Sequence, residues 1–182
     1  MEHRSPGSTT IGIAIDIPPP WGELLTARRA AAGDPAAEHE PAHLTLIGPT
    51  EVDAAALPGI SRHLADVARQ HGPFPLHLRG TGTFRPLTEV VFVCVAAGIG
   101  ECERIHEALR SSPAIRRELA FPYHPHVTVA HKVDPAAMDA VFDDLAAFEA
   151  EFTVTGFTLF EHGPGGRWHP QQEYVLRGDQ RR

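Results

Sequence analysis

The stretch Phe121-Pro122-Tyr123-His124-Pro125-His126-Val127-Thr128-Val129-Ala130-His131-Lys132 contains a four-residue pattern that also occurs at His43-Leu44-Thr45-Leu46. Both copies have the order histidine, apolar residue, threonine, apolar residue. Side chains in a β-strand alternate between its two faces. Each copy therefore predicts a strand with one apolar face on the core and with an imidazole and a hydroxyl side by side on the opposite face.

The two His-x-Thr strands occupy equivalent places in an internal repeat. Each is preceded by a strand and a helix, and each is followed by Val-Asp, a second helix and a further strand that contains Gly, Thr and Phe. This order predicts one bilobal domain over residues 1–182, with halves at about 11–84 and 90–160 and a C-terminal strand at about 173–177. A duplicated unit can pack about a pseudo-two-fold axis, and His43 and His126 would then face each other across one cleft.

These features resemble the two-histidine (2H) phosphoesterase superfamily, and most closely the bacterial 2′-5′ RNA ligases, also called cyclic phosphodiesterases. The resemblance covers about residues 11–177. It implies an α+β fold, with two antiparallel sheets flanked by helices around a central cleft. It also implies opening of 2′,3′-cyclic phosphates without a metal or another cofactor. Many relatives carry an arginine soon after the second motif, whereas this chain has His131-Lys132 there.

The residue types in the two motifs suit this chemistry. Opening a cyclic phosphate needs a base for the attacking water and an acid for the leaving oxygen. Histidine can do both because its ordinary pKa of about 6.5 lies near neutrality. Threonine hydroxyls can donate hydrogen bonds to the nonbridging phosphate oxygens. The predicted catalytic residues are His43, Thr45, His126 and Thr128. The reverse reaction would join a 5′-hydroxyl to a cyclic phosphate.

Other side chains near the motifs are candidates for substrate binding. Phe84, Tyr123 and Trp168 could stack on a base, since aromatic faces do so readily. His124 could line the cleft. The remaining candidates are Arg85 and Lys132, as sources of positive charge for the phosphate. His131 has the opposite strand parity to His126, so we expect it to point away from the cleft.

The net charge of −7 favours a small ligand over a long duplex, because binding to long nucleic acids usually needs a basic surface. Paired arginines such as Arg28-Arg29 are interpreted as solvated surface pairs. We therefore expect the partner to be a small nucleotide cyclic phosphate or an RNA terminus. The sequence indicates no oligomeric state. The chain has no apolar run of membrane-spanning length, and its N-terminus lacks a signal-peptide pattern. Cys94 and Cys102 are interpreted as small buried apolar residues, which fits a cytoplasmic protein.

Two alternative functions remain open from the sequence. Histidine clusters favour metals, and His124, His126 and His131, completed by His43, could form such a site. The other alternative is a non-catalytic nucleotide-binding or RNA-binding module that keeps the same cleft. Hydrolysis that survives a chelator, or binding without hydrolysis, would separate these alternatives from the cyclic phosphodiesterase.

Four local predictions concern element boundaries. We expect a loose tail at 1–10 and a first His strand that ends at Gly48-Pro49. We expect a single strand at about 151–160 and an α-helix that begins with Asp134 as its capping residue.

Overall fold

A computed structural model describes residues 7–178, and within them eight antiparallel strands form one sheet. The strands are β1 Ser8–Asp16, β2 His43–Asp53, β3 Phe74–Thr83, β4 Val90–Ala97, β5 His126–His131, β6 Glu149–Val154, β7 Gly156–His162 and β8 Trp168–Val175. Their spatial order is β6-β3-β4-β5-β2-β1-β7-β8. The expectation of two sheets is therefore wrong, because the two His-x-Thr strands pair with each other and join both sets of strands.

The pairing between the two His-x-Thr strands is short. β2 and β5 share the single residue pair Leu44–Val127. By contrast, β1 pairs with β2 along its length from Ser8 to Asp16, and β4 pairs with most of β5. The sheet thus consists of two four-stranded groups that meet at the two motifs. The two strands separate beyond their one shared pair, so the space between them is open to other side chains.

Four α-helices pack against this sheet within the described residues. They are α1 Trp21–Ala31, α2 Leu57–Gln70, α3 Ile99–Arg110 and α4 Pro135–Asp144. Each buries a stripe at helical spacing, as with Ile60, Leu64 and Val67 on α2. None of these helices has the length and apolar character needed to cross a membrane.

Elements of the two sequence halves are exchanged in space. The helix before each motif packs on the other motif strand, so that α1 contacts β5 and α3 contacts β2. The last strand of each half is exchanged in the same sense, because β3 pairs with β4 and β7 pairs with β1. This exchange buries both motif strands, and the apolar residues Leu44, Leu46, Val127 and Val129 are all at most 1% exposed.

Two predicted strand boundaries are wrong, because pairing with other strands sets them. β2 continues through Gly48-Pro49 to Asp53, because β1 pairs with it there after two register shifts. The strand expected at 151–160 is divided at Thr155 into β6 and β7, which pair with different strands. The predicted start of α4 is confirmed, because Asp134 is the N-cap residue and Pro135 begins the helix, but the Asp134 side chain makes no capping hydrogen bond.

The predicted N-terminal tail and the cysteines have clear outcomes in the described region. Residues 8–10 of the expected tail belong to β1, whereas residues 1–6 lie outside the described residues. Cys94 and Cys102 are both free, as expected. Cys102 is fully buried on α3, and its burial raises the pKa of the thiol to about 12. Cys94 is half-buried on β4 opposite His126.

Candidate active site

A cavity lies where the two motif strands meet, and we call it the histidine cavity. It contains the two histidines and the two threonines of the motifs. Its lining residues are Gly12, Ile13, Ala14, Asp16, Arg29, Glu40, Pro41, His43, Thr45, Ile47, Gly48, Pro49, Val90, His126, Thr128, His131, Phe160 and Trp168. Strand alternation explains the arrangement, because in both motifs the intervening apolar residues are buried on the other face.

The two imidazoles are held in the same way. Nδ1 of His43 lies 2.8 Å from the carbonyl oxygen of Pro41, and Nδ1 of His126 lies 2.6 Å from the carbonyl oxygen of His124. A carbonyl oxygen can only accept, so Nδ1 carries the proton in both rings. The second ring nitrogen, Nε2, is then left to accept or donate a proton at the cavity. Because the Nδ1 of each ring bonds to a backbone carbonyl oxygen, both histidines have the same tautomer.

The threonine hydroxyls are available to a ligand. Thr45 and Thr128 are half-buried at the cavity wall. Across residues 7–178, neither hydroxyl makes a hydrogen bond with another protein group, unlike Thr50 or Thr158. A half-buried donor without a protein partner can hydrogen-bond a bound anion at little cost in lost protein contacts.

His126 lies in an aromatic environment. Its ring centroid is 5.1 Å from that of Phe84, in an edge-to-face arrangement, and 5.2 Å from that of Phe92. Burial lowers the pKa of His126, and positive charge on His124 or His43 lowers it further, while the hydrogen bond to the His124 carbonyl opposes the shift. The neutral imidazole is therefore favoured at His126, which suits a proton acceptor.

Sequence reasoning missed the arginine of the cavity. Arg29 was interpreted as part of a solvated pair, yet it is only 5% exposed and lines the cavity. Its Nε donates to Asp34 Oδ2 over 2.7 Å, and its Nη1 lies 3.7 Å from Glu40 Oε2. Helical spacing could have revealed it, because Arg29 lies four residues after the buried Leu25 on the same face of α1.

A polar network connects this arginine to the far wall of the cavity. Asp34 Oδ2 also accepts a hydrogen bond from the backbone N–H of His131, over 3.1 Å. Glu40 Oε1 accepts from Trp168 Nε1 over 2.7 Å. Gly12 makes room for that indole, since a Cβ at position 12 would lie 3.0 Å from the Trp168 ring. The network therefore fixes the wall that Arg29, His131 and Trp168 form.

The prediction that His131 points away from the cleft is wrong. The pairing of β4 with β5 shifts register between Val91–Ala130 and Phe92–Thr128, which leaves Val129 as a bulged residue. Val129 and Ala130 are consequently both buried, and the alternation changes phase after them. His131 is thereby brought onto the face of Thr128 and lines the cavity.

A second depression, which we call the apolar groove, continues from the histidine cavity past His126. Its lining residues are Thr45, Leu46, Gly48, Phe84, Leu87, Thr88, His106, Leu119, Phe121, Pro122, Tyr123, His124 and His126. Three predicted substrate-binding residues, Phe84, Tyr123 and His124, lie here. They are thus beside the cavity that holds the two motifs and do not line it.

Tyr123 is held by the first motif strand. Its hydroxyl donates to the carbonyl oxygen of Thr45 over 2.8 Å, and its ring stacks on His106 with centroids 3.9 Å apart. Nδ1 of His106 in turn lies 2.7 Å from the Leu46 carbonyl oxygen. Because one face of the Tyr123 ring is covered, these contacts point to positioning of β2 more than to the base stacking that we expected.

The two predicted sources of positive charge are directed elsewhere. Nη1 of Arg85 lies 2.9 Å from Asp139 Oδ1 on α4, and its Nε donates to Thr83. Lys132 follows the end of β5 with a φ of 51°, and its side chain is exposed. Neither residue is among those that line the histidine cavity or the apolar groove, so the expectation for both is not supported.

The alternative of a histidine-ligated metal also lacks support. Within residues 7–178, the group with ligand atoms close enough for one ion is His77, Glu149 and Glu151, at the sheet edge formed by β3 and β6. His43, His124, His126 and His131 do not form such a group there.

The fold and the cavity define a mixed α/β protein of the two-histidine class, and comparisons with known proteins agree. The family model described as "2'-5' RNA ligase superfamily" matches residues 17–166. Ligand-free LigT of Escherichia coli is similar in structure, with a TM-score of 0.69, 28% identity, and coverage of 93% of this chain and 98% of LigT. LigT complexed with NADP+ has a TM-score of 0.67 and 26% identity, with coverage of 93% and 99%.

A sequence relative extends the comparison. A Halalkalibacterium halodurans protein named "Putative phosphoesterase" is 28% identical over 170 residues, which cover 91% of this chain and 96% of that protein. This chain belongs to the 2′-5′ RNA ligase superfamily, the two-histidine phosphoesterases.

Proposed function

We propose that this protein is a metal-independent phosphoesterase that opens the 2′,3′-cyclic phosphate of a nucleotide or an RNA end. The observation that carries the proposal is the matched pair of imidazoles in one cavity, each with Nδ1 bound to the carbonyl two residues earlier. Family membership and the names of the relatives support the general class of reaction. The LigT structures with phosphate and with NADP+ support a nucleotide as ligand.

In this mechanism His126 is the base and His43 is the acid. Burial favours neutral His126, whose Nε2 takes a proton from water as the water oxygen bonds to phosphorus. The bond from phosphorus to one ribose oxygen breaks, and protonated His43 gives its Nε2 proton to that oxygen. The product is a ribose phosphate monoester, and the two rings exchange protonation states during the reaction.

Charge on the nonbridging oxygens is stabilised by groups already at the cavity. The hydroxyls of Thr45 and Thr128 donate hydrogen bonds to them. Among the described residues that line the histidine cavity, Arg29 is the one arginine or lysine. Asp34 and Glu40 hold this guanidinium in place and offset part of its charge, so we assign it a supporting role.

The proposed substrate is small, or is the terminal part of a strand. The chain has a net charge of −7, and one arginine at the cavity does not make the extended basic surface that long nucleic acids require. Ligation would use the same groups in the same roles. A 5′-hydroxyl takes the place of water, loses its proton to His126 and bonds to phosphorus. The bond from phosphorus to the 3′ oxygen breaks, His43 protonates that oxygen, and the product is a 2′-5′ diester.

The test is turnover of a panel of nucleoside 2′,3′-cyclic phosphates by the wild type and by His126→Ala, with and without a chelator. We expect the wild type to open the ring in chelator and the variant to lose about 10² to 10⁴ in rate, the usual contribution of general acid–base catalysis. Binding of the panel without turnover would replace this proposal by a non-catalytic nucleotide-binding function. Turnover that chelator abolishes would contradict the metal-independent reaction.

A further inference from the structure

The carbonyl oxygen that fixes the tautomer of His43 lies outside the helices and strands. It belongs to Pro41, in the connection between α1 and β2, and β2 begins only at His43. Pro41 is exposed at the edge of the histidine cavity. Proline has no backbone N–H, so it cannot donate a hydrogen bond that would hold its own peptide in place. The position of this carbonyl oxygen therefore depends on the residues on either side of Pro41.

Both neighbours of Pro41 are anchored to other parts of the fold. On the C-terminal side, the backbone N–H of Ala42 donates to Oγ1 of Thr26 on α1 over 2.8 Å. On the N-terminal side, Oε1 of Glu40 accepts the 2.7 Å hydrogen bond from Nε1 of Trp168, the first residue of β8. The chain that carries the orienting carbonyl is thus fixed at both ends, by α1 and by a strand from the far end of the sequence.

The hydrogen bond between Trp168 and Glu40 is supported on both sides. The indole packs over Gly12, where a Cβ would lie 3.0 Å from it, and its centroid is 5.0 Å from that of His162. The second carboxylate oxygen of Glu40 lies 3.7 Å from Nη1 of the buried Arg29. These contacts hold the donor and the acceptor in one geometry.

The second motif has a hydrogen bond at the matching position. Glu40 lies three residues before His43, and Tyr123 lies three residues before His126. Both make a side-chain hydrogen bond to a distant segment, since the Tyr123 hydroxyl donates to a carbonyl oxygen of β2 over 2.8 Å. In each motif the next residue then supplies the carbonyl oxygen that accepts from Nδ1 of the histidine. An anchor directly before the orienting carbonyl is therefore common to both motifs.

We propose that Glu40 and Trp168 are positioning residues for His43. Their hydrogen bond holds the Pro41 carbonyl oxygen where it accepts from Nδ1 and so fixes the orientation and the tautomer of the ring. If that oxygen moved, the ring could rotate or carry its proton on Nε2 when neutral, and Nε2 would no longer face the leaving oxygen correctly. The inference rests on the proposed function, in which His43 is the acid.

The first test measures the tautomer directly, by ¹⁵N NMR of the imidazole nitrogens at about pH 8.5, where a histidine of ordinary pKa is neutral. We expect wild-type His43 to carry its proton on Nδ1, and Trp168→Phe and Glu40→Ala to populate the Nε2–H tautomer. His126 is the internal control in the same spectra, because its Nδ1 bonds a different carbonyl oxygen. Glu40→Gln keeps an oxygen that can accept from the indole, so it should keep the wild-type tautomer.

The second test measures kcat and KM for a nucleoside 2′,3′-cyclic phosphate. Trp168→Phe keeps an aromatic ring at the cavity wall and removes the N–H donor. We expect it to lower kcat by about 100-fold, the cost of a small misplacement of a reacting group, and to change KM much less. Trp21→Phe is the matched control and should leave kcat unchanged, because Trp21 stacks on Phe152 and lines neither the cavity nor the groove.

An unchanged His43 tautomer in both Trp168→Phe and Glu40→Ala would overturn the proposal. A change at His43 and His126 together would overturn it as well, because the effect would then be a general loosening of the fold. A rise in KM with kcat retained would assign Trp168 to substrate binding instead. A wild type that does not open the cyclic phosphate would reject the proposed function, whereas a change of tautomer confined to His43 would still support the positioning role.

Discussion

The hydroxyl of Tyr123 donates a 2.8 Å hydrogen bond to the carbonyl oxygen of Thr45, so a residue just before the second motif holds the backbone of the first. The Thr45 carbonyl oxygen needs this donor because β2 and β5 share only the pair Leu44–Val127 and separate beyond it. Next to this bond, Nδ1 of His106 hydrogen-bonds the carbonyl oxygen of Leu46. The stacked pair of Tyr123 and His106 thus replaces the missing strand-to-strand hydrogen bonds.

Removing that hydroxyl should destabilise the protein. We expect Tyr123→Phe to lower the free energy of unfolding by about 1–3 kcal/mol, because the Thr45 carbonyl is left without its partner. Urea denaturation measures this. Tyr174→Phe is the matched control, since the Tyr174 hydroxyl lies 3.4 Å from Gln172 Oε1 and should contribute less. Equal losses in the two variants would contradict the special place of Tyr123.

The two motif histidines should act as one unit. We expect His43→Ala and His126→Ala each to lower the rate of cyclic phosphate opening by about 10² to 10⁴, and the double variant to lose far less than the product of the two. Steady-state turnover measures this, with His169→Ala as a control because that histidine is exposed and lines neither site. A His43→Ala enzyme with near-normal turnover at every pH would end the acid–base scheme.

The pH dependence of turnover should reveal the environment of His126. The rate needs neutral His126 and protonated His43, so it should be bell-shaped in pH. Burial lowers the pKa of His126, so the low-pH limb should lie below the ordinary 6.5. Phe84→Ala admits water to the ring, raises its pKa and should move this limb to higher pH. Phe152→Ala, which removes a ring stacked on Trp21 away from the site, should leave the limb in place.

Changes to the threonines should cost less than changes to the histidines. Thr45→Val and Thr128→Val keep the side-chain shape and remove one hydroxyl donor, while the proton transfers remain. We expect each to lower kcat/KM by about 100-fold, the lower end of the range for one lost donor to a developing charge. Thr81→Val is the control, because its hydroxyl is half-buried and donates to the carbonyl oxygen of Phe142, away from the residues that line the cavity and the groove. Losses as large as those of the histidine variants would assign the threonines a further role.

His106 should make the stability of the protein depend on pH. Burial lowers the pKa of His106 in the folded state, so the unfolded chain takes up a proton first as the pH falls through about 6.5. The free energy of unfolding should therefore decrease from pH 7.5 to 5.5. His106→Gln keeps an N–H donor but cannot titrate, so it should lose less stability over that interval. Urea denaturation at the two pH values measures this change for the wild type and for His106→Gln. Equal decreases in the free energy of unfolding would contradict the contribution of His106.

Local pattern predicted the parts of the site that lie within a few residues of each other. His43 with Thr45 and His126 with Thr128 share a face because strand alternation has a period of two residues. The order of helices and strands around the motifs could also be predicted, since apolar periodicity is a local property. The likeness of the motifs to the two-histidine family followed from the same short patterns.

Tertiary structure decided what depends on pairing between distant segments. One sheet formed in place of two because β2 and β5 pair, even if only at Leu44–Val127. The bulge at Val129, which brings His131 to the cavity, exists only against the register of β4. Arg29 is buried because Asp34 and Glu40 meet it across a loop. Such features are set by long-range packing and register, in which a shift of one residue moves a side chain to the other face.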